Sequence, residues 1–119
     1  MVLILGGFAA GKRSAARALG YTDADMSPDV DSDRPVLVDL ESTVRSDPDR
    51  AAELLPLLLK KELVLCCEVG SGVVPLDPGE RAWREATGRL ACALAKEAET
   101  VVRVTAGIPV VLKGEWKCR

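Results

Sequence analysis

Residues 6–13, GGFAAGKR, come close to a phosphate-binding loop. They follow an apolar run at 2–5, and Gly6, Gly11 and Lys12 fit the pattern G-x-x-x-x-G-K-[ST], whereas Arg13 replaces its final hydroxyl residue. In such a loop backbone N–H groups converge on an anion, the next helix adds its positive end, and the lysine reaches the outer phosphates. The alternative is a tight turn with a surface lysine. We predict a nucleotide site formed by Gly6, Gly7, Phe8, Ala9, Ala10, Gly11, Lys12, Arg13 and Ser14.

Arginine at position 13 alters how the loop can use a metal ion. A serine there would give Mg²⁺ an oxygen ligand, but arginine has a fixed positive charge and no lone pair. Ser14 comes one residue late, about 100° further round the helix. If Arg13 folds toward the pocket, it neutralises part of the charge that Mg²⁺ would carry. If it points to solvent, the loop is a weakened phosphate-binding loop.

Two carboxylates follow predicted strands, where ligands bind in parallel sheets. Asp39, near the end of the run 36–40, is the candidate Mg²⁺ ligand, and a helix cap or loop position is the alternative. Glu68, directly after Cys67, is a candidate general base or hydroxyl-positioning group. Its alternative is an exposed charge at a strand end.

Other residues that could do chemistry favour structural roles. Trp83 lies on an apolar helical stripe, which is more typical of a core residue than of a nucleobase stack. The acidic stretch 23–33 matches no EF-hand spacing and is expected to be a solvated loop. The four cysteines show no C-x-x-C spacing, and we expect buried apolar thiols.

Composition excludes several classes of function. The 119 residues fit one domain, residues 1–119, and 48% hydrophobic with 29% charged residues is typical of a soluble globular protein. A net charge of −2 and 3% aromatics argue against nucleic-acid binding. The apolar runs are too short to span a membrane, so we expect a cytoplasmic protein. The chain has no histidine, which excludes imidazole chemistry.

The chemistry-bearing residues must be positioned by alternating strands and helices. Apolar runs predict strands at 2–5, 36–40, 63–67 and 101–105, with a short edge strand at 110–112. Helices are expected at 11–19, from Asp47 and Pro48 to a break at Pro56, and at 79–98, whereas 20–35 is expected to be an exposed loop. This alternation predicts an α/β fold with a mainly parallel sheet flanked by helices.

The chain resembles the adenosylcobinamide kinase/adenosylcobinamide-phosphate guanylyltransferase family of cobalamin biosynthesis. The similarity covers residues 1–19 and 36–113 and is carried by the loop 6–13, by VDLES at 38–42, by CEVGSGVVP at 67–75, by RAWREATGRLA at 81–91, and by AGIP at 106–109 with Lys113. It implies a P-loop fold of RecA type, in shortened form, and a trimeric assembly. It also implies phosphorylation of a cobinamide hydroxyl by GTP or ATP with Mg²⁺.

The chain departs from this family at two places that bear on function: the loop, where Arg13 replaces the hydroxyl residue, and residues 20–35. The family carries a longer segment where this chain has only residues 20–35, and that segment holds a histidine that takes GMP covalently. Without histidine the guanylyltransferase step is not expected. One interpretation is a reduced kinase in which Lys12 binds phosphates, Asp39 holds Mg²⁺ and Glu68 positions the hydroxyl. A second is a non-catalytic relative that binds a nucleotide or a partner. A third is a protein whose pocket is empty and whose fold serves as an assembly module.

Overall fold

A computed structural model describes residues 1–68 and 77–116 of the chain. Within these residues six strands form one sheet: β1 Val2–Gly6, β2 Met26–Ser27, β3 Val36–Leu37, β4 Leu63–Cys67, β5 Thr100–Thr105 and β6 Ile108–Lys113. The α-helices are α1 Lys12–Ala18, α2 Leu40–Ser46, α3 Leu55–Leu58 and α4 Pro78–Glu97. Residues 69–76, which include most of the motif CEVGSGVVP at 67–75, and Cys118 lie outside the described residues.

The strand order is β2-β3-β4-β1-β5-β6, and all pairs except β5–β6 are parallel. Strand β1 is therefore central, with Gly6 opposite Cys67 on one side and Val104 on the other. This register brings the carboxyl ends of β1, β4 and β5 to one edge of the sheet. The α/β class and the mainly parallel sheet are confirmed.

Both faces of the sheet are covered at the central strands β1 and β4, which explains their unbroken apolar runs. Successive side chains of a strand point to opposite faces. Leu3 accordingly packs with residues of α2 and α4, including Leu40 and Leu94, whereas Ile4 packs on the other face with Ala16 of α1. All five side chains are fully buried.

The predicted strand at 36–40 is wrong in its second half. Strand β3 ends at Leu37, and Asp39 has a φ of 56°, from which α2 begins. Leu40 and Val44 lie four residues apart on α2 and are both fully buried. Helix α2 was missed because its first apolar residue continued the apolar run of the strand.

Other boundaries also differ from the sequence predictions. Asp47 precedes a 3₁₀ segment, Pro48–Leu54, without a side-chain capping bond, and Pro56 lies in the first turn of α3, where proline is tolerated. The expected loop 20–35 contains β2, where Met26 is buried against the sheet. A strand of two residues is too short for its periodicity to be recognised. The helix predicted at 79–98 is confirmed as α4, and the edge strand is confirmed as β6.

No helix in the described ranges combines the length and the apolar character needed to cross a membrane.

We predict that Leu94→Ala lowers the free energy of unfolding by about 2–5 kcal/mol, because it leaves a cavity between α4 and the sheet. Urea denaturation followed by circular dichroism measures this. Leu57→Ala is the matched control, since Leu57 is 38% exposed on α3 and its loss should change stability by about 1 kcal/mol or less. Equal losses in the two variants would contradict the burial of Leu94.

Candidate nucleotide site

The glycine loop is held against strand β5 by contacts that require glycine. A Cβ atom on Gly6 would lie 2.8 Å from the carbonyl oxygen of Val104, closer than real Cβ atoms approach. Gly11, which precedes α1, has a φ of 102°, and a Cβ there would lie 3.1 Å from the Cα of Gly107. The backbone N–H of Gly107 donates a hydrogen bond of 2.8 Å to the carbonyl of Ala10. The loop is thus fixed to the β5–β6 turn.

A cavity of about 550 Å³ opens beside this loop, at the carboxyl ends of β1, β3 and β4. A cavity of this size suits a small-molecule ligand. Its walls combine the loop and the start of α1 with the beginning of α2 and the end of β4. The lining residues are Phe8, Ala9, Ala10, Gly11, Lys12, Arg13, Ser14, Val38, Asp39, Glu41, Ser42, Leu65 and Cys67. Seven predicted nucleotide-site residues therefore share one cavity with the predicted metal ligand.

Lys12 folds over its own loop. Its Nζ donates to the carbonyl of Gly7 at 2.9 Å, to that of Gly6 at 3.3 Å, and to the Sγ of Cys67 at 3.3 Å. These contacts hold the ammonium group between the loop and the end of β4, on the wall of the cavity. All three N–H donors of the ammonium are used by these protein acceptors, so an anion in the cavity would meet the positive charge and would accept a hydrogen bond from Nζ only by replacing one of them.

Arg13 folds toward the pocket and reaches Asp39. Its Nη2 donates to the Oδ2 of Asp39 at 3.0 Å, and the two side chains are 54% and 44% exposed. Of the two orientations considered for Arg13, the structure has the one that faces the cavity. The carboxylate predicted to hold Mg²⁺ is thus paired with the arginine that replaces the loop hydroxyl.

Glu68 is placed apart from this cavity. Its backbone N–H donates to the carbonyl of Gly6 at 2.8 Å, so its main chain is tied to the loop. Its Oε2 accepts from Nε of Arg103 at 3.1 Å and pairs with Nη2 at 3.0 Å. Among the described residues Glu68 does not line the cavity that holds Lys12 and Asp39.

Glu41 is a cavity residue that the sequence analysis missed. Its Oε1 accepts from the backbone N–H of Cys67 at 2.8 Å, and its carbonyl accepts from Nε1 of Trp83 at 2.7 Å. Trp83 packs against the core, as predicted, and carries the guanidinium of Arg45 3.7 Å from its ring centroid. Glu41 thereby joins α2 to the end of β4 and to α4. Recognising α2 would have placed Glu41 in its first turn, facing the strand ends.

The cysteines differ from the prediction of buried thiols. Cys66 is buried, and burial, with a smaller contribution from the charge of Glu41, raises the pKa of its thiol to about 12. Cys67 is half-buried and lines the cavity, and Cys92 is exposed. The prediction is wrong for Cys92, because it lies on a face of α4 that the sheet does not cover.

The acidic loop behaves as a solvated segment. Asp23 pairs with Arg17 at 2.8 Å, and Asp25 accepts from the backbone N–H of Thr22 in a capping box. In residues 1–68 and 77–116 there is no group of three or more acidic or cysteine side chains arranged to hold a metal ion.

A parallel α/β sheet with a glycine loop and a lysine after its first strand is of the P-loop type. A family model described as "Cobinamide kinase / cobinamide phosphate guanyltransferase" matches residues 29–112, and the chain belongs to this family. The match confirms the resemblance. It places the chain among the nucleotide-binding transferases of cobalamin biosynthesis. The family uses nucleoside triphosphates, typically with a metal. A comparison with curated proteins finds no match.

The matched range has a consequence for the site. It includes Asp39, Glu41 and Glu68, but the glycine loop and Lys12 precede it. The argument for phosphate binding by the loop therefore depends on its own residues and geometry.

We predict that Gly11→Ala destabilises the protein by about 1–2 kcal/mol, because a side chain is strained at a φ of 102°. The matched control is Gly88→Ala inside α4, where nothing lies within 4 Å of a new Cβ. Alanine should stabilise that helix by about 0.5–1 kcal/mol. Urea denaturation of both variants measures the two opposite shifts. An unchanged midpoint in Gly11→Ala would contradict the loop geometry described here.

Proposed function

We propose that the chain binds a nucleoside triphosphate, GTP or ATP, in the cavity beside loop 6–13 and transfers its terminal phosphoryl group to a cobinamide hydroxyl. The observation that carries this proposal is the anchored loop, with Lys12 on the wall of a 550 Å³ cavity at the strand ends. Family membership supports the substrate class. The backbone amides of residues 7–13 would hold the phosphates, and Lys12 would contact the outer ones.

Glu68 is proposed to position the acceptor hydroxyl at the far side of the loop. Its backbone bond to Gly6 fixes it to the end of β1, and in the described part of the chain both contacts of its carboxylate fall on Oε2. Oε1 would then accept a hydrogen bond from the substrate. Because Glu68 lies outside the cavity of Lys12, the acceptor would have to enter from the β5 side.

The guanylyltransferase step is excluded from this proposal. The resemblance assigns that step to a histidine that takes GMP covalently, and the chain contains none. The proposed activity is accordingly the kinase step alone.

A second candidate function is nucleotide binding without turnover. The Arg13–Asp39 ion pair favours it, because that pair engages the carboxylate that would otherwise bind a metal. A measurement of phosphoryl transfer to cobinamide distinguishes the two functions, since both include nucleotide binding.

Self-association is also proposed, as a homo-oligomer and by family resemblance a trimer. Strand β6 supports it, because Ile108, Val110, Val111 and Leu112 are exposed at the edge of the sheet.

Lys12→Ala should weaken binding of GTP or ATP by about 1.5–3 kcal/mol, the usual contribution of a hydrogen bond to a charged group. Isothermal titration measures this, and Lys60→Ala, which removes an equal charge elsewhere on the surface, should leave affinity unchanged. Equal affinities of wild type and Lys12→Ala would rule the site out.

Cys67 offers a second measurement of the same binding. Bound nucleotide should slow its alkylation by iodoacetamide, while exposed Cys92 reacts at the same rate with and without nucleotide. Cys66 should stay unmodified while the protein is folded, since its raised pKa keeps the thiol protonated at neutral pH.

Incubation with labelled GTP should leave no acid-labile GMP adduct on the protein, because there is no histidine to carry one. Mass spectrometry of the intact chain measures this. A covalent nucleotide on any residue would show that another side chain has taken the role.

A further inference from the structure

The group that neutralises the phosphates is the open chemical question in this cavity. Mg²⁺ requires oxygen ligands at about 2.0–2.1 Å in near-octahedral geometry. The side chain at position 13 offers no oxygen, and the Oδ2 of Asp39 accepts from Nη2 of Arg13 at 3.0 Å. A cation at Asp39 would also meet the charge of the guanidinium. As paired in this structure, the side chains of Arg13 and Asp39 therefore do not form a magnesium site between the loop and Asp39.

We propose that the guanidinium of Arg13, held by Asp39, replaces the metal as the second positive charge of the site. The ligand is then the metal-free polyphosphate of the nucleotide, not its magnesium complex. This inference rests on the proposed nucleotide binding, and it specifies that the nucleotide binds as the metal-free anion.

The positions of the two cations support this assignment. Lys12 reaches across to Cys67 at the end of β4, whereas Arg13 reaches Asp39 before α2. Both line the same cavity, so they present positive charge from two of its walls. A polyphosphate between them would meet one cation on each side.

The donor capacity of Arg13 also suits this role. A guanidinium has five N–H donors in a planar fork and stays charged at any physiological pH. Its one hydrogen bond among the described residues uses a single donor on Nη2. The remaining donors can bind phosphate oxygens while Asp39 fixes the orientation of the fork.

The exposure of the pair argues against a purely structural role. With side chains 54% and 44% exposed, the ion pair is screened by water and adds little to stability. A pair of this strength still favours the rotamer of Arg13 that faces the cavity over the many rotamers that an unpaired arginine samples in solvent.

Isothermal titration with GTP, ATP and inorganic tripolyphosphate, each in Mg²⁺ and in EDTA, tests the inference. We expect wild type to bind at least as tightly in EDTA as in Mg²⁺. In EDTA the affinity of Arg13→Ser for nucleotide should be about tenfold or more below that of wild type, the loss expected for a charged hydrogen bond. Arg13→Ser should also bind nucleotide more tightly in Mg²⁺ than in EDTA. Arg17→Ser is the matched control, since Arg17 is also half-exposed on α1 but pairs with Asp23 away from the cavity.

Each outcome decides something. Binding of wild type that is much tighter in Mg²⁺, or equal affinity of wild type and Arg13→Ser in EDTA, overturns this inference and leaves the proposed nucleotide binding intact. If tripolyphosphate binds independently of metal while GTP and ATP do not bind, the role of Arg13 is supported and the proposed nucleotide binding is overturned. Absence of binding by all three ligands overturns both. The comparison of wild type in two buffers needs no variant, so it stands even if Arg13→Ser does not fold.

Discussion

The close approach of the glycine loop to strand β5 is the constraint on which the site depends. Gly6 leaves no room for a side chain beside the carbonyl of Val104, and Gly11 faces Gly107 across the turn between β5 and β6. Since β5 is the parallel neighbour of β1, this contact fixes the loop relative to the whole sheet. Lys12 and Arg13 come directly after Gly11 in the sequence. The close approach of Gly11 to Gly107 therefore also sets where these two cationic residues begin.

Much of this architecture could be predicted because β1 and β4 have unbroken apolar runs, while β5 keeps Val101, Val102 and Val104 buried on either side of the exposed Arg103. The glycine loop could be found for a related reason, since few residues other than glycine tolerate its backbone angles and contacts. Strand β3 and helix α2 could not be separated, because Leu40 is apolar and fully buried like Val36 and Leu37 and so continues the apolar run of the strand. The turn itself depends on a φ of 56° at Asp39, which no apolar pattern encodes.

The ion pairs of the candidate site could not be predicted from the sequence for a different reason. Asp39 and Arg13 were each identified, but their 3.0 Å contact joins residues 26 positions apart and depends on the placement of β3 beside β4. The engagement of Glu68 by Arg103 likewise requires the parallel register of β1 and β5. Side-chain partners across strands are fixed by register, and a single sequence contains that information only indirectly.

The Arg13–Asp39 pair separates the requirements of binding from those of catalysis. Binding a polyphosphate needs only opposite charge at the right distance, and a fixed guanidinium supplies it. Acceleration needs interactions that are stronger in the transition state than in the ground state. A guanidinium held in one orientation by Asp39 contacts both states alike unless it moves as the phosphoryl group transfers. A metal ion that bridges the outer phosphates follows the developing charge more closely. In the proposed site the Arg13–Asp39 pair therefore contributes to retention of the polyphosphate, and the proposed phosphoryl transfer depends on Lys12 and Glu68.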